Sequence, residues 1–369
     1  MVTRRFCTVQ NGLIAAIVMA CVWGVSLPAE TDALHRVTLQ LPWHHQFQFA
    51  GYYAAQKLGY YRDVGLDVDI RPGKVGDASM DRVIRSNSEF GVGSAEIVAA
   101  RLEGAPLVVV APIFQHSALA IVSIDGSGIK SIRDVENHKI MIEAQAAELF
   151  AYLSRAGVDP EKVEILPHTH SLNPLLNGQA SALSAYISDE PFGLLERGIA
   201  YTVHLPREVG IDFYGDTLFT QEAFLLREPQ IVEAMRDASL RGWEYALAHP
   251  EEIVDLILTD YSRDQSRSHL LFEARETRDL IQPDRIPLGT SDPARWRHMA
   301  EVFREAGFIV DGPIDLTGLS MDDPVYHGIT AWFQGIDPRV LRLVLVAGAF
   351  VVFAVVLHRA RRRRGSGAS

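Results

Sequence analysis

The sequence predicts an α/β fold of two lobes joined by a hinge, followed by one C-terminal transmembrane helix. Strand-like and helix-like stretches alternate through the middle of the chain, which is typical of α/β proteins. That middle part holds about 300 residues, more than a single hydrophobic core usually accommodates. Apolar stretches with neighbouring arginines lie at both ends and indicate targeting or membrane segments.

The N-terminal segment, residues 1–29, predicts a signal peptide. Arg4 and Arg5 form a basic start, an apolar stretch follows, and Ala29 is a suitable last residue before cleavage. A retained N-terminal anchor is the alternative. In either case the two arginines favour a cytoplasmic N-terminus.

Residues 36–122 are expected to form the first part of lobe one, where apolar runs alternate with amphipathic ones. Glycines end two of the helices in this part. The predicted strands are Val37–Leu41, Leu66–Ile70, Glu89–Val92, Leu107–Pro112 and Ala118–Ser123. The predicted helices are Gln46–Leu58, Asp77–Arg85 and Ala95–Leu102.

Residues 123–215 are expected to form the second lobe by the same alternation of patterns. The predicted strands are Lys139–Ile142, Val163–Leu166, Ala182–Ile187 and Tyr201–Leu205. A helix is predicted at Ala146–Ala156 and a short helix end at Leu194–Gly198, and a polar tip is expected at Ser188–Pro191.

Residues 216–320 are expected to return to the first lobe and to add packing helices. Proline opens the longest of these helices, and its apolar residues follow at steps that place them on one face. The predicted helices are Pro229–Ala248, Pro250–Leu258, Ser268–Ile281 and Pro293–Ala306. Two lobes joined by crossing strands form a hinge, and a ligand in the cleft can favour the closed state.

The C-terminal segment predicts a single transmembrane helix at residues 340–357. This stretch is apolar except for Arg342 and has about the minimum length that spans a bilayer. The basic tail, residues 358–369, favours the cytoplasmic side. Both ends therefore place the middle domain outside a bacterial cytoplasmic membrane, in the periplasm.

Charge and cysteine content narrow the function classes. The chain carries −11, and nine of its 35 basic residues lie outside residues 30–338, which leaves 26 against 46 acidic residues, a net −20. Such an acidic surface argues against nucleic acid as a partner. Both cysteines, Cys7 and Cys21, lie in the export segment, so the mature domain offers no thiolate chemistry and no disulfide.

The first candidate binding stretch is Trp43–Tyr53, at the end of the first strand and the start of the next helix. Strand ends of α/β sheets place ligands, and this stretch concentrates aromatic rings, imidazoles and amides. A flat heterocycle could stack on Trp43 or Tyr52 and be hydrogen-bonded by His44 or Gln46. The alternative is that some of these aromatic residues belong to the core.

Polar residues at other strand ends complete the predicted site. Ser94 is predicted to be a helix N-cap, where exposed N–H groups suit a carboxylate or a phosphate, with a plain cap as the alternative. Acidic residues in a cleft favour a cationic or hydrogen-bond-donating ligand, with solvated loops as the alternative. The remaining candidates are Glu96, Gln115, Glu143, Asp189 and Glu190.

The sequence predicts no catalytic residue, cofactor or metal site. It contains no nucleophile elbow, no zinc-protease motif and no phosphate loop. His168 and His170 could point to the same side of an extended strand, but zinc needs a third ligand that the neighbouring sequence does not offer.

Several runs resemble a known family. WHHQFQFAGYYAAQKLGYYRDVGLDVDI, EFGVGSAEIVAA, APIFQHSALAIVS, SAYISDEPF and IPLGTSDPARWRHMAEVFREAGFI are similar to the thiamine-pyrimidine-synthase-like and sulfonate-binding-like (SsuA-like) family. The resemblance covers roughly residues 36–310. It implies a type II periplasmic-binding-protein fold that binds a small organic ligand, such as a thiamine-precursor pyrimidine, for an ABC-type permease.

The same resemblance implies two alternative functions. A sensory branch would act through a partner kinase or cyclase, because few residues follow the predicted membrane helix. A synthase branch binds pyridoxal phosphate through a lysine and consumes a histidine, but Gly93 and Ile97 stand where those residues are expected. Its cysteine-rich run should lie near Leu218–Leu225, which contains no cysteine.

Overall fold

The computed structural model describes residues 33–74, 78–144, 146–310 and 312–326. The predicted signal peptide, transmembrane helix and basic tail lie outside the described residues. Within the described ranges, no helix is both long enough and apolar enough to span a bilayer.

Ten strands of the described chain form two five-stranded mixed sheets, so the predicted α/β architecture in two parts is confirmed. The order is β2-β1-β3-β10-β4 in the first sheet and β7-β6-β8-β5-β9 in the second. The strands are β1 (His35–Gln40), β2 (Leu66–Arg71), β3 (Phe90–Gly93), β4 (Leu107–Pro112), β5 (Leu119–Ile124), β6 (Lys139–Ile142), β7 (Glu164–Pro167), β8 (Ala182–Tyr186), β9 (Tyr201–His204) and β10 (Thr217–Gln221).

The first sheet combines local parallel strands with one strand that comes from much later in the chain. β1 pairs in parallel with β2 and β3, whereas β10 lies antiparallel between β3 and β4. β4 is buried along its whole length, as its unbroken apolar run predicts. β10 was not predicted, and its insertion is what ties residues after the second lobe back to the first.

The second sheet has the same plan. β6 pairs in parallel with β7 and β8, and β5 lies antiparallel between β8 and β9. The sequence placed the strand Ala118–Ser123 at the end of the first lobe. Its pairing with β8 and β9 places it in the second sheet instead, so the change of sheet falls at residues 113–118.

The two segments that cross between the sheets lie side by side. The backbone N–H groups of Ile113 and Phe114 donate to the Asp216 carbonyl oxygen over 2.8 and 3.0 Å, and Gly215 N–H donates to the Phe114 carbonyl oxygen over 3.1 Å. Two adjacent crossings of this kind are expected of a hinge. The later segment 293–319 also joins the lobes, because Glu305 pairs with Arg155 of the second lobe and the Leu319 carbonyl oxygen accepts from Val109 of the first.

Helices cover both sheets, and most predicted helices are present with shorter ends. They are α1 (Ala50–Lys57), α2 (Tyr60–Asp63), α3 (Ser79–Ile84), α4 (Glu96–Leu102), α5 (Ala147–Arg155), α6 (Asn173–Leu176), α7 (Glu190–Leu195), α8 (Glu222–Arg227), α9 (Pro229–Ala248), α10 (Pro250–Leu256), α11 (Arg267–Ile281) and α12 (Pro293–Glu305). Short 3-10 turns occur at Phe47–Phe49, Ile132–Val135, Pro160–Lys162 and Pro206–Val209, and a π turn at Ile257–Tyr261.

The helix that follows β8 differs from the prediction. The sequence placed a polar tip at Ser188–Pro191 and a helix end at Leu194–Gly198, whereas the helix α7 already begins at Glu190. Pro191 explains the difference, because proline fits the first turn of a helix, where its missing N–H is not needed. The acidic residues predicted at a loop tip therefore sit at a helix start.

Helices α1 and α9 cross in backbone contact, and this contact fixes the segment that leads from β1 into the cleft. A Cβ atom on Gly242 would lie 2.1 Å from the Gly51 carbonyl oxygen, and one on Gly51 would lie 2.1 Å from Trp243 Cγ. Trp243 is fully buried against this crossing. Both glycines are therefore required for the close approach.

The last described segment covers the β4 edge of the first sheet. Val109 N–H donates to the Leu319 carbonyl oxygen over 2.7 Å, and Met321 N–H donates to the Val109 carbonyl oxygen over 2.9 Å. The Tyr326 hydroxyl then donates to Glu222 over 2.7 Å. The described chain thus ends docked on the first lobe.

Candidate ligand-binding cleft

Side chains of the two lobes meet between the sheets, beyond the carboxyl ends of β1, β6 and β8. Trp43 follows β1 and is half-buried, and its ring lies 5.0 Å from the ring of His170 in the second lobe, centroid to centroid. His44 is exposed and meets Trp43 edge to face at 5.2 Å. Trp43 therefore lies at the border between the lobes, where a guest would touch both.

A chain of buried amides leads from Gln46 to a buried acid. Gln265 Nε2 lies 3.2 Å from Gln46 Oε1, Gln46 Nε2 donates to Gln48 Oε1 over 2.8 Å, and Gln48 Nε2 donates to Asp216 Oδ2 over 2.8 Å. Because each amide has one donor and one acceptor end, the chain fixes the orientation of every member.

Asp216 is the acid of the first lobe that faces the second. The Tyr186 hydroxyl, which belongs to the second lobe, reaches Asp216 Oδ1 over 3.4 Å. Burial raises the pKa of Asp216 to about 7, against hydrogen bonds from Gln48 and Tyr186 that lower it. At neutral pH this carboxyl group is therefore both a hydrogen-bond donor and an acceptor.

Glu190 is the matching acid of the second lobe. Its Oε2 accepts the Tyr186 backbone N–H over 2.8 Å. Part of its surface is accessible, yet the surrounding protein desolvates it and, with the neighbouring charge of Asp189, raises its pKa to about 8. Glu190 is therefore largely protonated at neutral pH, and its pKa shift identifies it as a candidate functional group.

Ser94 and Glu96 form a pair at the start of α4. The Ser94 hydroxyl donates to the Glu96 carboxyl group. Ala95, not Ser94, holds the N-cap position, and no side chain caps the helix, so the predicted N-cap role of Ser94 is wrong. Burial raises the pKa of Glu96, and the charge of Glu143 in the second lobe adds to the shift. The charge of Glu143 therefore acts on Glu96 across the cleft.

Two other predicted site residues lie beneath the cleft instead of on its surface. Tyr52 is 1% exposed and packs edge to face on Trp243 at 5.9 Å, which is the core placement that the sequence left open. Gln115 is 2% exposed, lies in the first crossing segment and donates to the Thr290 carbonyl oxygen over 3.1 Å. Gln46 and Asp216 are as deeply buried, but Asp216 contacts Tyr186 of the second lobe. The contacts of Tyr52 with Trp243 and of Gln115 with Thr290 lie within the first lobe. Binding of a ligand by Tyr52 and Gln115 remains a prediction.

A second set of contacts joins the lobes on the side of α7 and α11. His269 Nε2 lies 2.9 Å from Asp189 Oδ1, and the Phe192 ring stacks on the His269 ring at 4.5 Å. Glu273, one turn along α11, accepts the Phe47 backbone N–H over 2.7 Å. Asp189 is thus committed to an inter-lobe contact in this conformation.

Sequence reasoning missed four buried acids and amides of this region. Glu148 is 1% exposed, accepts the Ser117 hydroxyl over 2.7 Å, and burial raises its pKa well above the usual value. Glu273 is also 1% exposed, and burial raises its pKa in the same way. The one available signal was the alternation of amides and aromatics in the run Gln46–Phe49, which pointed to Gln48. The missed residues are Gln48, Glu148, Asp216 and Glu273.

Two groups of described residues could hold a metal ion. One comprises Glu143, His168 and His170, and the other Asp189, His269 and Glu273. The first group lies within the second lobe. The second spans both lobes and already forms the inter-lobe contact described above.

These features define the chemistry of the cleft. It offers a half-buried indole ring, a fixed chain of amides, and carboxyl groups from both lobes whose raised pKa values keep them partly protonated at neutral pH. Such groups suit the ring nitrogens and amino groups of a flat heterocycle.

Comparisons with known proteins identify the family. A family model described as NMT1/THI5 like matches residues 46–253. Riboflavin-binding protein RibY of Chloroflexus aurantiacus is 24% identical over 78% of this chain and 86% of its own length. The formylaminopyrimidine-binding protein of Halalkalibacterium halodurans is 23% identical over 78% of this chain and 90% of its own.

The fold is shared with a sulfonate-binding protein. The periplasmic aliphatic sulphonate binding protein SsuA of Escherichia coli matches with a TM-score of 0.58 and 13% identity, over 75% of this chain and 94% of that one. The resemblance predicted from the sequence motifs is therefore confirmed. Because the family match spans more than half of the sequence, the chain belongs to the NMT1/THI5-like family and has the fold of periplasmic binding proteins.

Proposed function

We propose that this protein is an extracytoplasmic solute-binding protein that closes on a small nitrogen heterocycle and delivers it to an ABC-type importer. The observation that carries the proposal is the lining of the cleft, where Trp43 lies beside His170 and the acids Asp216 and Glu190 belong to opposite lobes. A guest bound there contacts both lobes, and such a guest favours the closed form.

The donors and acceptors of the cleft support this ligand class. An aminopyrimidine, such as a thiamine precursor, presents a flat ring, amino donors and ring-nitrogen acceptors. The protonated acids donate to ring nitrogens, the amide chain accepts from amino groups, and the indole ring supplies a stacking face. Curated relatives named for binding riboflavin and formylaminopyrimidine support this class.

The proposed location is the outer face of the bacterial cytoplasmic membrane, with residues 340–357 as a tether. The described chain ends at Tyr326, docked on the first lobe. The residues between Tyr326 and the proposed span reach at most about 50 Å when fully extended. Such a tether would keep the domain close to a permease in the same membrane.

Thermal unfolding of the purified full-length chain tests the proposal. We expect an aminopyrimidine to raise the melting temperature, because a ligand at 100 times its Kd stabilises the native state by about 2.7 kcal/mol. An alkanesulfonate should give a smaller rise, because it offers neither the ring nitrogens nor the amino groups that the cleft would bind. Trp43→Ala should weaken binding of the active compound at least about tenfold, or roughly 1.4 kcal/mol.

Tyr60→Ala is the matched control, since Tyr60 is a partly buried aromatic residue on α2 whose ring contacts Arg241 and not the cleft. It should leave the affinity unchanged. A stabilising compound that is recovered unaltered after release agrees with a binding role, whereas its conversion would instead support a synthase. Equal stabilisation of the native protein and of Trp43→Ala would remove Trp43 from the site.

A further inference from the structure

We propose that Glu143, His168 and His170 bind one divalent transition-metal ion, of the Zn²⁺ class, at the cleft edge of the second lobe. The three residues all belong to this lobe, so the site is complete whether or not the lobes are closed. It borders the proposed organic site, because His170 lies against Trp43, and its test therefore uses the metal alone.

The sheet brings these residues together although they are distant in sequence. β6 and β7 are parallel neighbours, and Ile142 lies opposite Pro167 at their carboxyl ends. Glu143 and His168 directly follow these two residues and therefore leave the sheet side by side. The third ligand that the sequence did not offer to the histidine pair is supplied by the neighbouring strand.

His170 completes the group through an unusual backbone conformation. Its φ is 53°, in the left-handed region. This backbone bend brings the His170 ring to 4.9 Å from the His168 ring, centroid to centroid. From the sequence alone, the two side chains could instead have pointed to the same side of an extended strand. Histidine is among the residues that adopt the left-handed conformation more readily than most.

The distances among the three side chains are close to those of a coordinated ion. Glu143 Oε1 lies 3.8 Å from His168 Nδ1 and 3.7 Å from His170 Nδ1. Tetrahedral zinc with bonds of about 2.0–2.2 Å holds its ligand atoms about 3.3–3.6 Å apart. The two distances from Glu143 exceed this range by only a few tenths of an ångström, and the three ligand atoms all lie within 4.8 Å of one another.

Neighbouring groups fix the orientation of the first histidine. His168 Nε2 lies 3.0 Å from the Ser184 carbonyl oxygen, which accepts only from a ring N–H, so Nδ1 carries the lone pair. A backbone carbonyl on the far ring nitrogen is the usual outer partner of a metal-bound histidine. Nδ1 now accepts the His170 backbone N–H over 3.2 Å, and the ion would replace this contact.

The remaining position of the ion is directed to the cleft side of the second lobe. Trp43 lies against His170 from the other lobe, and the Glu143 side chain is 41% exposed, which leaves a route for entry. Three protein ligands leave a fourth position of a tetrahedral ion to water or to an atom of a guest.

The other possible group, formed by Asp189, His269 and Glu273, is less suited to a metal. His269 Nε2 already lies 2.9 Å from Asp189 Oδ1, and Glu273 accepts the Phe47 backbone N–H. It offers a single nitrogen ligand, which is engaged. The group with two histidines is therefore the better fit for zinc.

Metal titration of the full-length chain, stripped with a chelator beforehand, tests the site. We expect one Zn²⁺ per chain in competition with a chromophoric chelator, and visible Co²⁺ bands typical of tetrahedral coordination. Glu143→Gln and His170→Ala should each weaken Zn²⁺ binding at least about tenfold, and His168→Ala/His170→Ala should abolish both signals.

Two further variants keep the result interpretable. His170→Asn tolerates the left-handed backbone but lacks the imidazole ring, so it should lose the metal while its unfolding midpoint in chelator stays unchanged. His35→Ala, at an exposed histidine of β1, should bind as the native protein does. The proposal is overturned if the native chain binds no Zn²⁺, or if the double variant binds it with unchanged affinity and stoichiometry.

Discussion

Replacing Asp216 by asparagine should reverse which protein is more stable between acidic and mildly alkaline pH. Asp216 is 2% exposed, and burial raises its pKa from 3.8 to about 7. The same group in the unfolded chain titrates near 4. Between about pH 4 and pH 7 the folded protein therefore holds a proton that the unfolded chain has released. The stability contributed by this group is complete below pH 4 and is lost as the pH rises toward 7.

The magnitude follows from the shift and from the hydrogen bonds. A shift of roughly three pKa units corresponds to about 4 kcal/mol of unfolding free energy, which the native protein loses as the pH rises. Asparagine is neutral at every pH, so the Asp216→Asn protein does not lose it. Asparagine offers one acceptor oxygen where the carboxyl group accepts from both Gln48 and Tyr186. Losing one such bond costs about 1 kcal/mol. Asp216→Asn should be about 1 kcal/mol less stable at pH 4 and up to about 3 kcal/mol more stable at pH 8.

Urea unfolding of both proteins at several pH values, followed by tryptophan fluorescence, measures the difference. Asp67→Asn is the matched control, because Asp67 is an exposed aspartate on β2. It should change the unfolding free energy by less than about 0.5 kcal/mol at every pH. If the difference between Asp216→Asn and the native protein is the same at pH 4 and pH 8, the carboxyl group is ionised in the folded state and the reasoning fails.

Two further predictions concern packing and closure. Gly242→Ala should lower the unfolding free energy by at least about 2 kcal/mol, because its Cβ would lie 2.1 Å from a carbonyl oxygen of α1, whereas Gly312→Ala, with open space around it, should change little. Equal destabilisation by both would rule out the close helix crossing as the cause. Asp189→Asn should weaken the 2.9 Å contact with His269 and increase the radius of gyration in small-angle scattering. Asp260→Asn, which removes an exposed ion pair, should leave the radius of gyration unchanged. An unchanged radius for Asp189→Asn would show that the contact with His269 does not hold the lobes together.

The helices and strands that were predicted correctly are those whose residue pattern lies within the element itself. β4 was predicted from an unbroken apolar run and α9 from a proline start and one apolar face, and both are present. β10 was missed because its run of five residues passes directly into α8. Neither the alternation of a strand nor the 3.6-residue period of a helix therefore continues long enough to be recognised. Only its pairing with β3 and β4, more than a hundred residues earlier, makes it a strand.

The same distinction applies to the cleft. Trp43 and Gln46 were predicted because aromatic and amide residues are concentrated at a strand end. Asp216 was missed because, in the sequence, a buried acid does not differ from a surface acid. Its environment comes from Gln48, 168 residues away, and from Tyr186 of the other lobe. Burial of a charge depends on tertiary contacts, which a local pattern does not encode.

The proposed guest can favour closure by adding to the contacts that already join the lobes across the cleft, which include two polar pairs. Tyr186 with Asp216 and Asp189 with His269 each contribute about 1 kcal/mol at most. Converting a protein that is 99% open into one that is 99% closed takes about 5.5 kcal/mol of differential binding. Stacking on Trp43 together with hydrogen bonds to acids of both lobes is of this order.

Specificity and closure therefore depend on the same side chains. The Tyr186 backbone N–H donates to Glu190 Oε2. A compound that bonds only to the amide chain and Asp216 therefore leaves the other carboxyl oxygen of Glu190 without a partner on the ligand when the lobes close. An unpaired polar group costs about 1–3 kcal/mol when it is buried, which is enough to return most of the population to the open form. A compound must satisfy the acids of both lobes to be carried in the closed protein, and this requirement selects against molecules that merely fit the first lobe.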